Sequence, residues 1–142
     1  MPSYNDITNR LEAAALAVHT ANPVSGLSAT TGQSGDTRTL PSVVFIADQG
    51  EEFPIGSGNY KMQLTCRVES SPDVTALSVH RGYFAGIADM FSDSAIATTL
   101  SSAILDFHAM GVTQHRVAHR IEDRNNISEI TVEVYSCAVD LV

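Results

Sequence analysis

The sequence predicts an α+β fold, with an antiparallel-rich sheet and helices packed on one face, in a single domain spanning residues 1–142. Residues 60–69 (YKMQLTCRVE) alternate apolar and polar side chains, which is the period of a half-buried strand. Residues 7–18 and 74–91 instead carry apolar side chains at helical spacing. A helix, two strands, a helix and further strands, in that order, favour a sheet covered by helices over repeated βαβ units.

The first part of the chain alternates ordered and loop-like segments. A helix is predicted to start after Ser3 and to end near Val18, because Pro23 follows. Residues 22–39 are rich in Ser, Thr and Gly and are predicted to form a flexible loop longer than most connections inside domains. The continuous apolar run of residues 41–48 (PSVVFIAD) predicts a strand that is buried on both faces or lies at the centre of the sheet.

Residues 51–60 (EEFPIGSGNY) place two glycines around a serine, a pattern that also occurs in phosphate-binding loops. Such loops follow a strand and open a helix, so that free N–H groups meet the anion. Here a strand follows the glycines, and we interpret the segment as a protruding hairpin loop. Glu51, Glu52 and Phe53 are its candidate partner-contact residues, because an apolar anchor within a charged rim is typical of a docking surface.

The sequence of the second half of the chain predicts two helices and three strands. Ser71 as N-cap and Pro72 at the first helical position predict a helix reaching about Met90. Its predicted apolar stripe consists of Val74, Leu77, Phe84, Ile87 and Phe91. Residues 94–103 predict a short second helix. Strands are predicted at residues 105–112, 114–122 and 129–141, with a tight turn at residues 123–126 (DRNN).

Composition restricts the classes of function. Sixteen acidic and eight basic residues give a formal charge of −8. Tight nucleic-acid binding needs basic patches that displace counterions from phosphates, so this balance excludes gripping DNA but not its passage nearby. Without a signal-peptide pattern or an apolar run of about 20 residues, we expect a soluble protein with no membrane partner. Cys66 and Cys137 are expected to be buried free thiols rather than a disulfide.

Three histidines, His108, His115 and His119, are the strongest candidates for chemistry. His115 and His119 have the spacing of zinc-protease ligands, but their surroundings predict a strand and the HExxH glutamate is missing. Neutral, partly buried histidines are the favoured interpretation, and a metal site is the alternative. Asp106 and His108 would share one strand face, either as a structural pair or as an acid–base pair.

Other catalytic signals are weak. No Ser or Cys lies in a nucleophile motif such as GxSxG, and Asp89 and Asp93 fit a solvated helix end. The sequence therefore predicts no enzyme, no cofactor and no bound metal.

Polar residues of two strands are expected to form a polar wall. If residues 60–69 and 129–141 share a sheet, their polar faces lie on the same side, opposite the helices. Such a wall suits either bulk solvent or the lining of a water-filled channel. The candidate channel-facing residues are Lys61, Gln63, Arg67, Glu69, Glu129 and Glu133.

The succession of these segments resembles a known family. LPSVVFIADQGEEFPIGSGNYKMQLTCRVESSPD (residues 40–73), a helix containing His80, DFHAMGV (residues 106–112) and ITVEVYSCAVDL (residues 130–141) are similar to the tail terminator, or tail completion, proteins of tailed bacteriophages. The resemblance runs from the N-terminal helix to Leu141 and rests on the order of the elements and their general residue character.

This resemblance implies a structural virion protein without catalytic residues, assembled in the host cytoplasm. Family members form a ring, generally hexameric, at the head-proximal end of the tail tube, where the ring ends tube polymerisation and joins the tail to the neck. The implied partners are further copies of the chain, the tail tube protein and a neck, stopper or connector protein. DNA passes through the lumen without sequence-specific binding.

Two alternatives remain open. The first is another neck component, a stopper or head–tail adaptor, whose members share much of this texture. The second, from a different class, is a small α+β enzyme or ligand-binding protein that uses the histidine region.

Overall fold

The computed structural model describes residues 4–32, 39–52, 59–104 and 107–137. Within them the chain has the predicted α+β fold. The helices are α1 (Tyr4–Ala21), α2 (Leu77–Phe91) and α3 (Ile96–Ala103). The strands are β1 (Ser28–Thr31), β2 (Ser42–Glu52), β3 (Tyr60–Ser70), β4 (His108–Glu122) and β5 (Asn125–Cys137).

The strands of the described residues form one five-stranded sheet in the order β1-β2-β3-β5-β4. β1 runs parallel to β2, and the β2–β3, β3–β5 and β4–β5 pairs are antiparallel. The sheet is therefore mixed but rich in antiparallel pairs, as predicted. β3, at the centre, pairs with β5 along its whole length.

The hydrophobic core is built on alternate residues of β3 and β5. Leu64 of β3 lies opposite Val132 of β5, and neither side chain is exposed. Buried side chains of α1, α2 and α3 join them in one cluster. The free thiol of Cys66 also lies in this cluster, where burial raises its pKa well above the ordinary value.

α1 continues to Ala21 rather than ending near Val18. His19 supplies the reason, because its ring is buried and packs against Phe45 with 6.0 Å between ring centroids. The Val24 N–H donates to His19 Nε2 at 3.1 Å and so ties down the chain just after the helix. This contact requires a neutral His19, and burial lowers its pKa.

The segment 22–39 is not one continuous loop, as the sequence had suggested, because residues 28–31 form β1. These four residues have no apolar alternation, and their pairing with the buried strand β2 makes them a strand. The hydrophobicity pattern of a segment cannot reveal such a strand, because its conformation depends on pairing with a neighbouring strand. Residues 33–38, in the predicted flexible part, lie outside the described residues.

β2 is longer than predicted and includes two of the expected loop residues. Glu51 pairs with Lys61 and Glu52 with Tyr60, so both glutamates belong to the strand rather than to a protruding loop. The pairing of β2 with β3 resumes after an irregularity between Ile46 and Gln49. The apolar run ends at the same place in the sequence, and for this reason the continuation of the strand was not predicted. Phe53 lies outside the described residues, as do residues 54–58.

The prediction for the start of α2 is wrong. Residues after Ser71 form a separate turn, closed by the Thr75 N–H donating to the Ser71 carbonyl at 2.8 Å. Ala76 is extended, and the helix begins at Leu77. Val74 and Leu77, predicted to be buried, are therefore exposed by 81% and 46%. The buried face of α2 consists of His80, Phe84, Ile87 and Phe91.

β4 joins the two strands predicted at residues 105–112 and 114–122. Register irregularities lie between Ala109 and Gly111 and between Val112 and His115, so one bent strand replaces two. The turn to β5 has positive φ at Asp123 and Arg124, the requirement of a two-residue hairpin turn whose twist matches the strands. β5 consequently starts at Asn125, four residues earlier than predicted.

Candidate functional site

The register of β3 and β5 brings the predicted wall residues together. Gln63 lies opposite Glu133, and Arg67 lies opposite Glu129. Lys61 Nζ is 3.5 Å from Glu133 Oε1 and lies 5.9 Å from the centre of the Tyr135 ring. Each of these two cationic residues of β3 therefore has a glutamate nearby on the adjacent strand β5.

Glu69 lies at the same end of the sheet as Arg67 but is only 6% exposed. Asn125 Nδ2 donates to its Oε2 at 2.8 Å, which satisfies part of the hydrogen-bonding capacity of the buried carboxylate. Of the six predicted channel-facing residues, Glu69 is thus the one that the fold largely encloses.

β4 widens the wall with charges that the sequence analysis did not include. Arg120 donates to Glu122 and Glu129, and these bonds raise the pKa of the guanidinium and lower that of Glu122. Thr113 Oγ1 donates to Glu133 Oε1 at 2.6 Å. Because cations and carboxylates alternate across the wall, its charge is nearly balanced and the excess acidity of the chain lies elsewhere.

A second constellation links α2 to the sheet through two histidines and two serines. Ser70 Oγ lies 2.6 Å from His80 Nδ1, and Ser128 Oγ lies 2.9 Å from His80 Nε2. Ser128 Oγ also lies 2.7 Å from His119 Nδ1. The His119 ring meets the edge of Phe84, with 5.1 Å between centroids. One hydrogen-bonded chain therefore runs from the core to the surface of β4.

Burial favours a neutral His80 within this series of hydrogen bonds, and proton counting allows it. Each serine has one proton to donate, and a neutral imidazole has one donor and one acceptor nitrogen, so every contact can be satisfied in a single direction. A proton added to His80 would stay buried, since that side chain is 1% exposed. Burial is the main cause that lowers its pKa, followed by His119 and Arg81.

An open cleft of about 720 Å³ adjoins this series of hydrogen-bonded side chains. Its lining residues are Leu77, His80, Arg81, His119, Arg120, Ile121, Asn126, Ile127 and Ser128. Ser70 and Ser128 are both buried, so neither of these two hydroxyls is presented to the cleft as an open nucleophile. The arrangement positions α2 on the sheet and leaves His119 as its exposed end.

The sequence analysis found His119 but missed its partners. His80 stands four residues before Phe84 on the buried face of α2, and as a polar residue it was not counted in the predicted apolar stripe. His108 is exposed at the opposite end of β4, beside Cys137 in register. In the β4–β5 register, His115 lies opposite Val132 and His119 lies opposite Ser128.

The other candidate acids do not form a cluster. Asp93 Oδ1 accepts the Ala95 N–H at 2.7 Å just before α3, and Asp89 is exposed. Asp106 lies outside the described residues. In the part of the chain that the structure describes, no group of three His, Cys, Asp or Glu is placed to hold a metal ion.

We expect stability to fall as the pH drops from neutral to about 5, because His80 and His19 have lowered pKa values in the folded protein. The unfolded chain takes up these protons near pH 6.5, the ordinary pKa of histidine, so this contribution to stability is complete above that pH and declines below it. His80→Leu should flatten this pH dependence. It should also cost about 1–3 kcal/mol at neutral pH, because both serine hydroxyls lose the imidazole as a hydrogen-bond partner.

Urea unfolding across this pH range measures both effects. His108→Gln, at an exposed position, is the matched control and should retain the wild-type pH dependence. An unchanged pH dependence in His80→Leu would show that His80 does not bear the charge penalty.

Among the described helices, none combines the length and the apolar character needed to cross a membrane. Comparison with models of known protein families and with curated proteins finds no match to this chain.

Proposed function

We propose that the chain is a tail terminator of a tailed bacteriophage. In this proposal it forms a ring, hexameric as in the family it resembles, on the head-proximal end of the tail tube. The ring ends tube polymerisation, joins the tail to a neck or connector protein and leaves a channel for DNA. The protein is then a structural component of the virion, without catalytic residues or cofactors.

The polar wall of β3, β5 and β4 is the observation that carries the proposal. We propose that the helices cover the opposite face only, which leaves the wall free to line the channel. Several of its side chains pair with each other, as in Lys61 with Glu133 and Thr65 with Thr131, whose Oγ1 atoms are 3.1 Å apart, although the buried Nε of Arg67 has no hydrogen-bond partner among the described residues. Paired charges offer passing phosphates neither a counterion-releasing basic patch nor strong repulsion.

The end of the β2–β3 hairpin is the proposed contact with the tail tube or the neck. Glu51 and Glu52 lie there, beside a shallow cavity of about 200 Å³ lined by Gly50, Glu51, Lys61, Gln63 and Glu133. Three of these five residues are charged, so the complementary partner surface would carry basic groups opposite Glu51. Charge complementarity of this kind speeds and orients docking more than it strengthens it.

Locating the protein in virions tests the proposal. Gold-labelled antibody against the purified chain should mark one position, the junction between head and tail, in electron micrographs of intact particles. On separated components, the label should remain with the tail. Label on tailless heads would instead assign the protein to the head side as a stopper or adaptor. Label along the tube, or none, would contradict both.

A further inference from the structure

β4 is an edge strand of the sheet in the described part of the chain. Its first half is interrupted by two register irregularities, whereas residues 116–122 pair with β5 without interruption. Bulges protect an edge from pairing with another strand, and a regular stretch without them presents unpaired N–H and C=O groups. Residues 116–122 are all exposed, so this stretch is open to a partner strand.

The side chains of this stretch (RVAHRIE) are unusual for an exposed edge. Val117 is 49% exposed and Ile121 is 76% exposed, on the same face as His119. The opposite face carries Arg116 and Glu122 at the two ends of the stretch, with Arg120 between them and bonded to Glu122. Val117 and Ile121, and likewise Arg116 and Glu122, thus occupy positions symmetric about His119.

We propose that this edge pairs with the same edge of a second copy of the chain, antiparallel, with the two-fold axis at His119. In this register Arg116 of each copy lies opposite Glu122 of the other, and Val117 lies opposite Ile121. Opposite charges and paired apolar side chains directly across an antiparallel ladder are the stabilising arrangements. A two-fold contact repeats each pair, so every favourable contact occurs twice.

Neighbouring registers are disfavoured by the same residues. A shift of the pairing by two residues, which keeps the faces of the sheet aligned, places Arg116 opposite Arg120 or Arg124. Like charges directly opposite each other are destabilising in a ladder. The proposed register therefore follows from charge complementarity as well as from the apolar pair.

A closed two-fold pair uses β4 once in each copy and cannot extend through the same strand into a ring. The pair is therefore assigned to the free subunit, where it covers the exposed edge and protects it from aggregation. It does not rest on the proposed function, since it concerns the purified chain in solution.

Charge reversal tests the register. Arg116→Glu and Glu122→Arg each place like charges at both symmetric positions, and each should weaken the dimer about tenfold or more. Analytical ultracentrifugation over a concentration series measures the dissociation constant. Asp89→Arg, an equal charge reversal on the exposed surface of α2, is the matched control and should dimerise as the wild type does. Thermal melts establish that all variants fold.

Mixing the two reversed variants is the decisive step. A heterodimer of Arg116→Glu with Glu122→Arg has opposite charges at both positions, so the mixture should dimerise more tightly than either variant alone. A monomeric wild type at every concentration, reversed variants that dimerise normally, or a mixture that stays monomeric would each overturn the proposal. A larger oligomer insensitive to these changes would overturn it as well.

Discussion

Leu64→Asp is expected to lower the free energy of unfolding by about 4 kcal/mol or more and leave little folded protein. Leu64 is fully buried on the central strand, opposite Val132 of β5 and within the core cluster. An aspartate there would be a buried carboxylate without a partner, in a chain whose total stability is expected to be only about 5–15 kcal/mol. Val132→Asp should have a similar effect for the same reason.

Urea unfolding followed by circular dichroism measures the loss. Gln63→Asp is the matched control, because Gln63 is adjacent on the same strand but lies on the wall and is only half-buried. Its cost should stay within about 1 kcal/mol, mainly from the nearby Glu133. Equal stability of Leu64→Asp and the wild type would show that the strand faces are assigned the wrong way round.

The fold was predictable where a segment carries its own pattern. β3 runs from Tyr60 to Ser70, one residue beyond the predicted end. It could be predicted because apolar and polar residues alternate along it, which identifies both the strand and its buried face. β1 has no such pattern, and its strand conformation comes from pairing with β2. The end of β2 was missed for a related reason, since cross-strand pairing of Glu51 with Lys61 cannot be recognised without the register.

The polar wall and the histidine chain show the same division. The wall was predictable because alternation on β3 and β5 places the polar residues together once the strands are neighbours. The hydrogen-bonded chain through His80 was not predictable, because a histidine counts as polar and was therefore left out of the apolar stripe of α2. Its partners, Ser70 and Ser128, are 58 residues apart and meet only through the β3–β5 register.

The other large expected effect follows from the proposed function and concerns a phage rather than the isolated chain. A terminator occupies the open end of the tube and presents a face to which no further tube subunit can add. Without it, tube subunits should keep adding, since the end of the tube remains a binding site for the next one. Deletion of the gene should therefore give overlong tails or polytubes that do not join heads.

Electron microscopy of lysates from a phage lacking this gene tests the central claim most directly, with tail length as the measured quantity. The proposal predicts a broad distribution of lengths extending beyond the wild-type length, with heads unattached, and recovery of uniform, attached tails when the gene is supplied in trans. Free tails of uniform wild-type length beside the heads would contradict a terminator and place the protein on the head side of the neck.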